Sequence, residues 1–335
     1  MKPVKLLQNR EANWAELESL CARLRISGRN RNPALVSRFS SLYRAACADL
    51  ALAEAYQLPP EKIEYLQSLV ARAHNTLYQN QGFQIARWFH LIFYVTPKLI
   101  FSDRCVHLAL FVWLFLSTIA AVLAYDDRLW PGFAEQVLGT STMLQMENDF
   151  RAYVTRSWGQ NFLMAGFYIW NNAGIGLRCF ATGILIVPGF FLFAVNAVQI
   201  GASFGYMFRP ELGIAGANFK DFVTVHGPFE ITAIILSFGA GLRLGVSWLT
   251  TREWSRMSAL ILAGRRALPI AFVAVLLFVL AAMLEGFVSP FSRNTIPWFV
   301  KGSISVICSG LLMFYFIVLG YPGIEDDQDI DLEID

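Results

Sequence analysis

From Phe162 to Phe208 the chain runs for 47 residues with one charged side chain, Arg178. A helix crosses the hydrocarbon core of a bilayer with about 20 apolar residues. The run is therefore too long for one straight span and too free of charge for the surface of a soluble domain. A Pro188-Gly189 pair interrupts it in the middle. One kinked helix or two helices joined by a tight turn would each fit the length.

Similar stretches follow the same rule. Val106–Ala124 carries only His107 as an ionisable group, Leu268–Phe287 only Glu285, and Gly302–Gly320 none. Phe229–Trp248 qualifies too, with Glu230 and Arg243 inside it. Over all 335 residues 56% are apolar and 16% charged, with a mean hydropathy of +0.46. Soluble domains carry roughly 25% charged residues, which argues against an ordinary cytosolic enzyme. A disulfide-stapled miniprotein, a strongly basic nucleic-acid-binding domain and a disordered chain are excluded on the same figures. No nucleic-acid partner is expected; the lipid bilayer is.

The net charge of +2 hides an asymmetry. Residues 1–104 hold 14 Lys/Arg against 8 Asp/Glu, whereas residues 321–335 hold 7 acids and no base. Thr250–Arg266 carries Arg252, Arg256, Arg265 and Arg266 against Glu253, so it is expected on the cytoplasmic side. The basic N-terminal region is expected there as well, which requires an even number of spans between them. Two helices across Phe162–Phe208 satisfy that parity and one does not. The expectation is thus an all-α polytopic membrane protein with six spans, near 106–124, 162–187, 189–208, 229–248, 268–287 and 302–320. Both termini lie inside, in the cytoplasmic (inner) membrane of a bacterium. The loop Tyr125–Asn161, with three bases and five acids, falls outside and contains one or two short amphipathic helices near Phe133–Val154.

Ahead of the spans, residues 1–82 show three amphipathic stripes: Trp14, Leu17, Leu20, Cys21 and Leu24; Leu35 to Ala53; and Ile63 to Leu77. A turn near Gly28–Pro33 and the Pro59-Pro60 pair separate them. The stripes predict a cytoplasmic helical domain. Residues 83–104, rich in Trp88, Phe89, Phe93 and Tyr94 and broken at Pro97, predict an interfacial elbow helix with Arg87 and Lys98 reaching the polar side. The polar first 30 residues do not have the pattern of a signal peptide. Five cysteines (Cys21, Cys47, Cys105, Cys179, Cys308) have no metal-like spacing and are expected as free thiols. The acidic tail from residue 321 is expected on the cytoplasmic side.

Charged and amide groups inside the spans are the candidate site residues, because each costs roughly 2.5–3.5 kcal/mol at mid-bilayer unless it finds a partner or a wet cavity. Asn171, Asn172, His226, Glu230 and Glu285 all fall toward the external side. His226 and Glu230, four apart, share a helix face. They would form a polar intramembrane pocket for a metal, a proton or a polar ligand. The competing interpretation is a structural network, with Gly227-Pro228 marking a helix start that Glu230 supports. Arg178 and Arg243 lie deeper; Arg243 is expected to reach inward and Arg178 to need a carbonyl or carboxylate. Gly201, Gly205, Gly241 and Gly245 form small-xxx-small pairs that permit close helix packing, within the chain or in a homo-oligomer. HGPFE at His226 offers one His and one Glu, fewer ligands than a zinc site normally uses. No HExxH, GxSxG or Walker pattern occurs, so no cofactor and no catalytic residue is predicted.

The stretches YRAACADLA (Tyr43–Ala51), YLQSLVARAHNTLY (Tyr65–Tyr78), IWNNAGIGLRCFATGI from Ile169, FVTVHGPFEITAI from Phe222 and LEGFVSP (Leu284–Pro290) occur in an order that resembles the stage II sporulation protein M family in its longer form. That resemblance implies a bacterial cytoplasmic-membrane protein without established catalytic activity. It also implies a scaffold for envelope or peptidoglycan-remodelling partners, since the sporulation member works with cell-wall hydrolases as an anchor. Long forms tend to occur beside AAA-family ATPases, which makes proteins associated with such ATPases candidate partners. The alternative function is a transporter or channel component using the polar pocket. An intramembrane hydrolase is a third, weaker reading.

Overall fold

The computed structural model describes residues 10–26, 33–78, 85–153, 156–251 and 255–321. Most of the expected turn at Gly28–Pro33 and the acidic tail from Pro322 lie outside the described residues. Among those residues every regular element is a helix. The chain divides into two compact units, Met1–Ile85 and Ala86–Asp335.

The first unit packs α1 (Glu11–Ile26), α2 (Pro33–Ala55) and α3 (Pro60–Tyr78) around their apolar stripes. Leu17, Phe39, Ala53, Leu66, Leu69 and Ala73 are fully buried. One charged group enters this core. Asp49 accepts hydrogen bonds from the Trp14 indole at 2.9 Å and from Arg10 at 2.5 Å. The rim is laced by Arg38–Glu16, Lys62–Glu11 and Arg72–Glu18 ion pairs, which join all three helices.

The second unit opens with a short helix α4 (Ile85–His90), a wide π-helical turn (Leu91–Val95) and α5 (Thr96–Ser102). This differs from the single interfacial elbow expected from the sequence. Arg87 is exposed, but Lys98 is buried, with its ammonium 3.7 Å from the Tyr94 ring centre. Trp88 packs on Phe272, and the Tyr315 hydroxyl donates to the Ile92 carbonyl at 2.6 Å. The segment therefore docks on other helices of its own unit along much of its length.

Five helical segments are long and apolar enough to cross a membrane: Arg104–Tyr125, Val187–Met207, Pro210–Leu249, Arg256–Phe287 and Trp298–Val318. They correspond to α6 (Arg104–Tyr125), α10 (Val187–Met207), α11 (Gly213–Leu249) with the 3-10 turn before it, α12 (Arg256–Phe287), and α13 (Trp298–Met313) with its π-helical extension. The remaining expected span is α9 (Trp158–Gly183), a 26-residue helix that starts on a Ser157–Gln160 capping box. It is long enough to cross, but Gln160, Asn161, Asn171, Asn172 and Arg178 dilute its apolar character.

Two boundaries differ from the sequence expectation. The break in the 47-residue run comes at Ile184–Ile186, before Pro188 and not at it, because Pro188 occupies the first turn of α10. Ile186 takes a left-handed φ of 58° to make that turn, a conformation costly for a β-branched residue. Gly189 then lies against the backbone of Gly183, where a Cβ would overlap it. Second, Gly227-Pro228 starts no helix. Pro228 sits inside the 37-residue α11, which begins at Gly213.

The segment that follows α6 forms α7 (Phe133–Leu138) and α8 (Thr140–Phe150). Both pack on the ends of α10 and α11 through Ala134, Tyr206, Met207, Ala215 and Phe219. The N-terminal part of α11 thus extends beyond a bilayer's thickness to carry this cap. At about 1.5 Å per residue, α11 is far longer than a span needs.

Candidate functional site

The polar residues inside the helical body separate into three groups. The first is an ion pair between α11 and the start of α6. Asp103 caps α6 by accepting from the Cys105 and Val106 backbone N–H groups, and it also binds the Arg243 guanidinium. Arg243 therefore finds a carboxylate, where the sequence suggested only that it reaches inward. Arg178 faces outward from α9 on the exposed side of the unit, close to that helix's end, so a buried partner is not what accommodates it. A long side chain near a helix end can snorkel its charge to the interface.

The second group was not legible in sequence. Asp221, fully buried on α11, receives two bonds from Arg293 at 2.5 and 2.9 Å and one from the Tyr153 hydroxyl at 3.0 Å. Burial and the Asp221 carboxylate push the Tyr153 phenol up to about 12. Nearby, Lys301 is fully buried at the start of α13, donating to the Ser289 and Phe291 carbonyls at 2.8 and 2.7 Å. These groups fasten the loop Val288–Pro297 to the body. Asp221, eight residues before the apolar run that starts at Phe229, and Lys301, one residue before the run that starts at Gly302, look like ordinary helix ends in the sequence. Only their tertiary partners distinguish them.

The third group contains the residues singled out from the sequence. His226 and Glu230 project from one face of α11, with Nε2 3.5 Å from the Glu230 carboxylate. Glu285 comes from the last turn of α12 and is buried. The imidazole nitrogen, one Glu230 oxygen and one Glu285 oxygen lie within 4.8 Å of one another. Two of the three are held by a further residue. Ser289 Oγ lies 3.0 Å from His226 Nδ1, and Asn172 Nδ2 donates to Glu285 at 3.2 Å. Asn171 in turn donates to the Asn172 carbonyl oxygen at 2.8 Å. The five residues thus gather in one cluster across α9, α11 and α12.

Pro228 lies within this cluster's own helix turn. Lacking an N–H, it leaves the Thr224 carbonyl without its i+4 intrahelical donor. Thr232 Oγ1 donates to the Pro228 carbonyl at 2.7 Å.

One imidazole and two carboxylates are a donor set that a divalent cation could occupy. The third ligand, Glu285, is 55 positions beyond Glu230, which is why the HGPFE stretch alone seemed short of ligands. The glycines contribute packing. A Cβ at Gly201 or Gly205 would overlap the backbone oxygens of Ser117 or Ala121 on α6, and one at Gly241 or Gly245 those of Phe180 or Ile184. All four close approaches are within the chain.

The model of the stage II sporulation protein M family matches residues 107–290, more than half of the chain. The chain belongs to that family. The match encloses α6 to α12 and every member of the polar cluster, Ser289 included. A second family model, a domain of unknown function (DUF8413), matches residues 5–79, the three-helix unit. No curated protein and no solved structure matches the chain.

Proposed function

We propose that this family member is a non-enzymatic membrane scaffold that organises cell-envelope or peptidoglycan-remodelling partners. The observation that carries this reading is the locked packing of the helical body. Backbone meets backbone at Gly201, Gly205, Gly241 and Gly245, and buried charges are tied to partners on other elements. Interfaces that tight resist the rocking of one bundle against another that alternating access needs. A separate three-helix unit and a helical cap on α10 and α11 would then offer one partner surface on each side of the bilayer.

In this reading α9 is the sixth span, the elbow α4–α5 lies at the interface, and both termini are cytoplasmic in the bacterial inner membrane. Arg252, which follows α11 in the sequence, and Arg256, Arg265 and Arg266 in the first part of α12 support that orientation. Proteins associated with AAA-family ATPases are candidate cytoplasmic partners, and a homo-oligomer is compatible with the exposed apolar helix faces. The second reading, a transporter or channel component, is favoured by the His226–Glu230–Glu285 convergence.

Purification of the full chain from its own membranes, with identification of bound proteins and a flux assay in proteoliposomes, separates the two. The scaffold reading expects stoichiometric partners that the Glu230→Gln/Glu285→Gln variant retains. Ion or solute flux that this variant abolishes, with no partner recovered, contradicts it.

A further inference from the structure

We infer that His226, Glu230 and Glu285 form a binding site for a divalent first-row transition-metal ion of the Zn2+ class, bridging α11 to α12. This goes beyond the scaffold reading and does not depend on it.

The ligand atoms come from two helices and lie within 4.8 Å of one another. In a tetrahedral site with metal–ligand bonds near 2.1 Å, neighbouring ligands are about 3.4 Å apart. Rotation of the carboxylate side chains supplies the remaining approach. One imidazole with two carboxylates leaves a fourth position for water, the pattern of an open site rather than a closed structural one.

The surroundings are those of a metal centre and differ from a chance gathering of acids. The ring nitrogen of His226 away from Glu230 is engaged by Ser289 Oγ, which fixes the ring's orientation. Glu285 is oriented by Asn172, itself held by Asn171. Such outer contacts are what position metal ligands. The charge balance also lacks a cation. Among the described residues no Lys or Arg forms an ion pair with Glu230 or Glu285. Arg156, the basic group whose charge acts on Glu285, is directed to the Tyr168 hydroxyl at 3.5 Å. The other buried acids, Asp49, Asp103 and Asp221, each have an arginine.

A small polar cavity lies in the loop that follows Ser289. It has a volume of about 90 Å3 and is lined by Tyr153, Arg156, Asn161 and Pro290–Ser292. The Asn161 side-chain oxygen is buried there with no hydrogen-bond partner among the described residues. An orphaned acceptor lining a polar cavity is the setting of an ordered water, and α9 and α12 touch at Gly286 and Ala165 just beside it.

The test uses the full chain in detergent, loaded with Zn2+ or Co2+, freed of excess metal and analysed for metal per chain. Co2+ additionally reports ligand number through its visible absorption. The expected result is one ion per chain, a four- or five-coordinate Co2+ spectrum, and an unfolding temperature that rises with Zn2+. Glu230→Gln and Glu285→Gln keep side-chain size and should each abolish the spectrum. Ser289→Ala leaves all three ligands and should weaken binding about 10–100-fold. Folded wild type that takes up no Zn2+ or Co2+, or variants that bind as wild type does, would overturn the site. So would binding of Mg2+ in preference to Zn2+.

Discussion

Asp221 shows how a single side chain can hold two layers of this molecule together. It is fully buried on α11, yet receives bonds from Arg293 and Tyr153 on two loops. Replacing it with Asn removes the charge while keeping the shape. Charge-assisted bonds are worth about 1.5–3 kcal/mol each when buried, and Arg293 is half exposed, which screens part of that. Asp221→Asn is expected to cost about 1–3 kcal/mol, read as a lower unfolding temperature in detergent, with α11 itself intact by circular dichroism. Tyr153 gives a pH prediction from the same cluster. Burial first and the carboxylate second raise its phenol to about 12, above an unfolded value near 10. The neutral form is therefore the one the fold favours. Its stabilising contribution is complete below about 10 and is lost as pH rises through about 12. A difference titration of phenolate absorbance between wild type and Tyr153→Phe should show no ionisation of this residue at pH 10; a full phenolate signal there would refute the assignment.

Between elements, the decisive contacts are those in which helices meet without side chains between them. Gly205 is set directly against the Ala121 carbonyl of α6, whereas Gly174 on α9 faces open space. Gly205→Ala must push α6 from α10, an overpacking cost of about 1–3 kcal/mol. Gly174→Ala should be neutral or stabilising by up to about 1 kcal/mol through helix propensity. Thermal unfolding of the two variants side by side checks both signs, and equal effects would contradict the packing described. The same scale shows what sequence reading can and cannot reach. Apolar runs revealed α6, α10, α12 and α13, and charge parity divided the long run into α9 and α10. Those signals are local. The outer half of α11 was invisible because beyond the bilayer it is amphipathic, with Lys220 and Asp221 interrupting the apolar run. A proline after glycine suggested a helix start at 227–228, but packing on several neighbours carries the helix through it. At the site, His226, Glu230, Glu285 and Asn172 stood out as polar groups in apolar surroundings. Ser289 did not, since a serine in a loop announces nothing until the fold sets it against an imidazole.

For the whole molecule, position turns a net charge of +2 into a basic start at +6, a body at +3 and an acidic end at −7. Long helices run far past the apolar thickness at both ends: α11 on the side of the α7–α8 cap, α12 on the side of Arg256 to Arg266. Six crossings would place these two extensions on opposite sides of the membrane. Single cysteines introduced by Gln145→Cys on α8 and Met257→Cys on α12, both at exposed positions, test it most directly. A membrane-impermeant maleimide applied to intact cells should label the first above the parent chain's background, and the second only after permeabilisation. Labelling of position 257 in intact cells, or protection of position 145, would contradict the six-span arrangement and the orientation built on it.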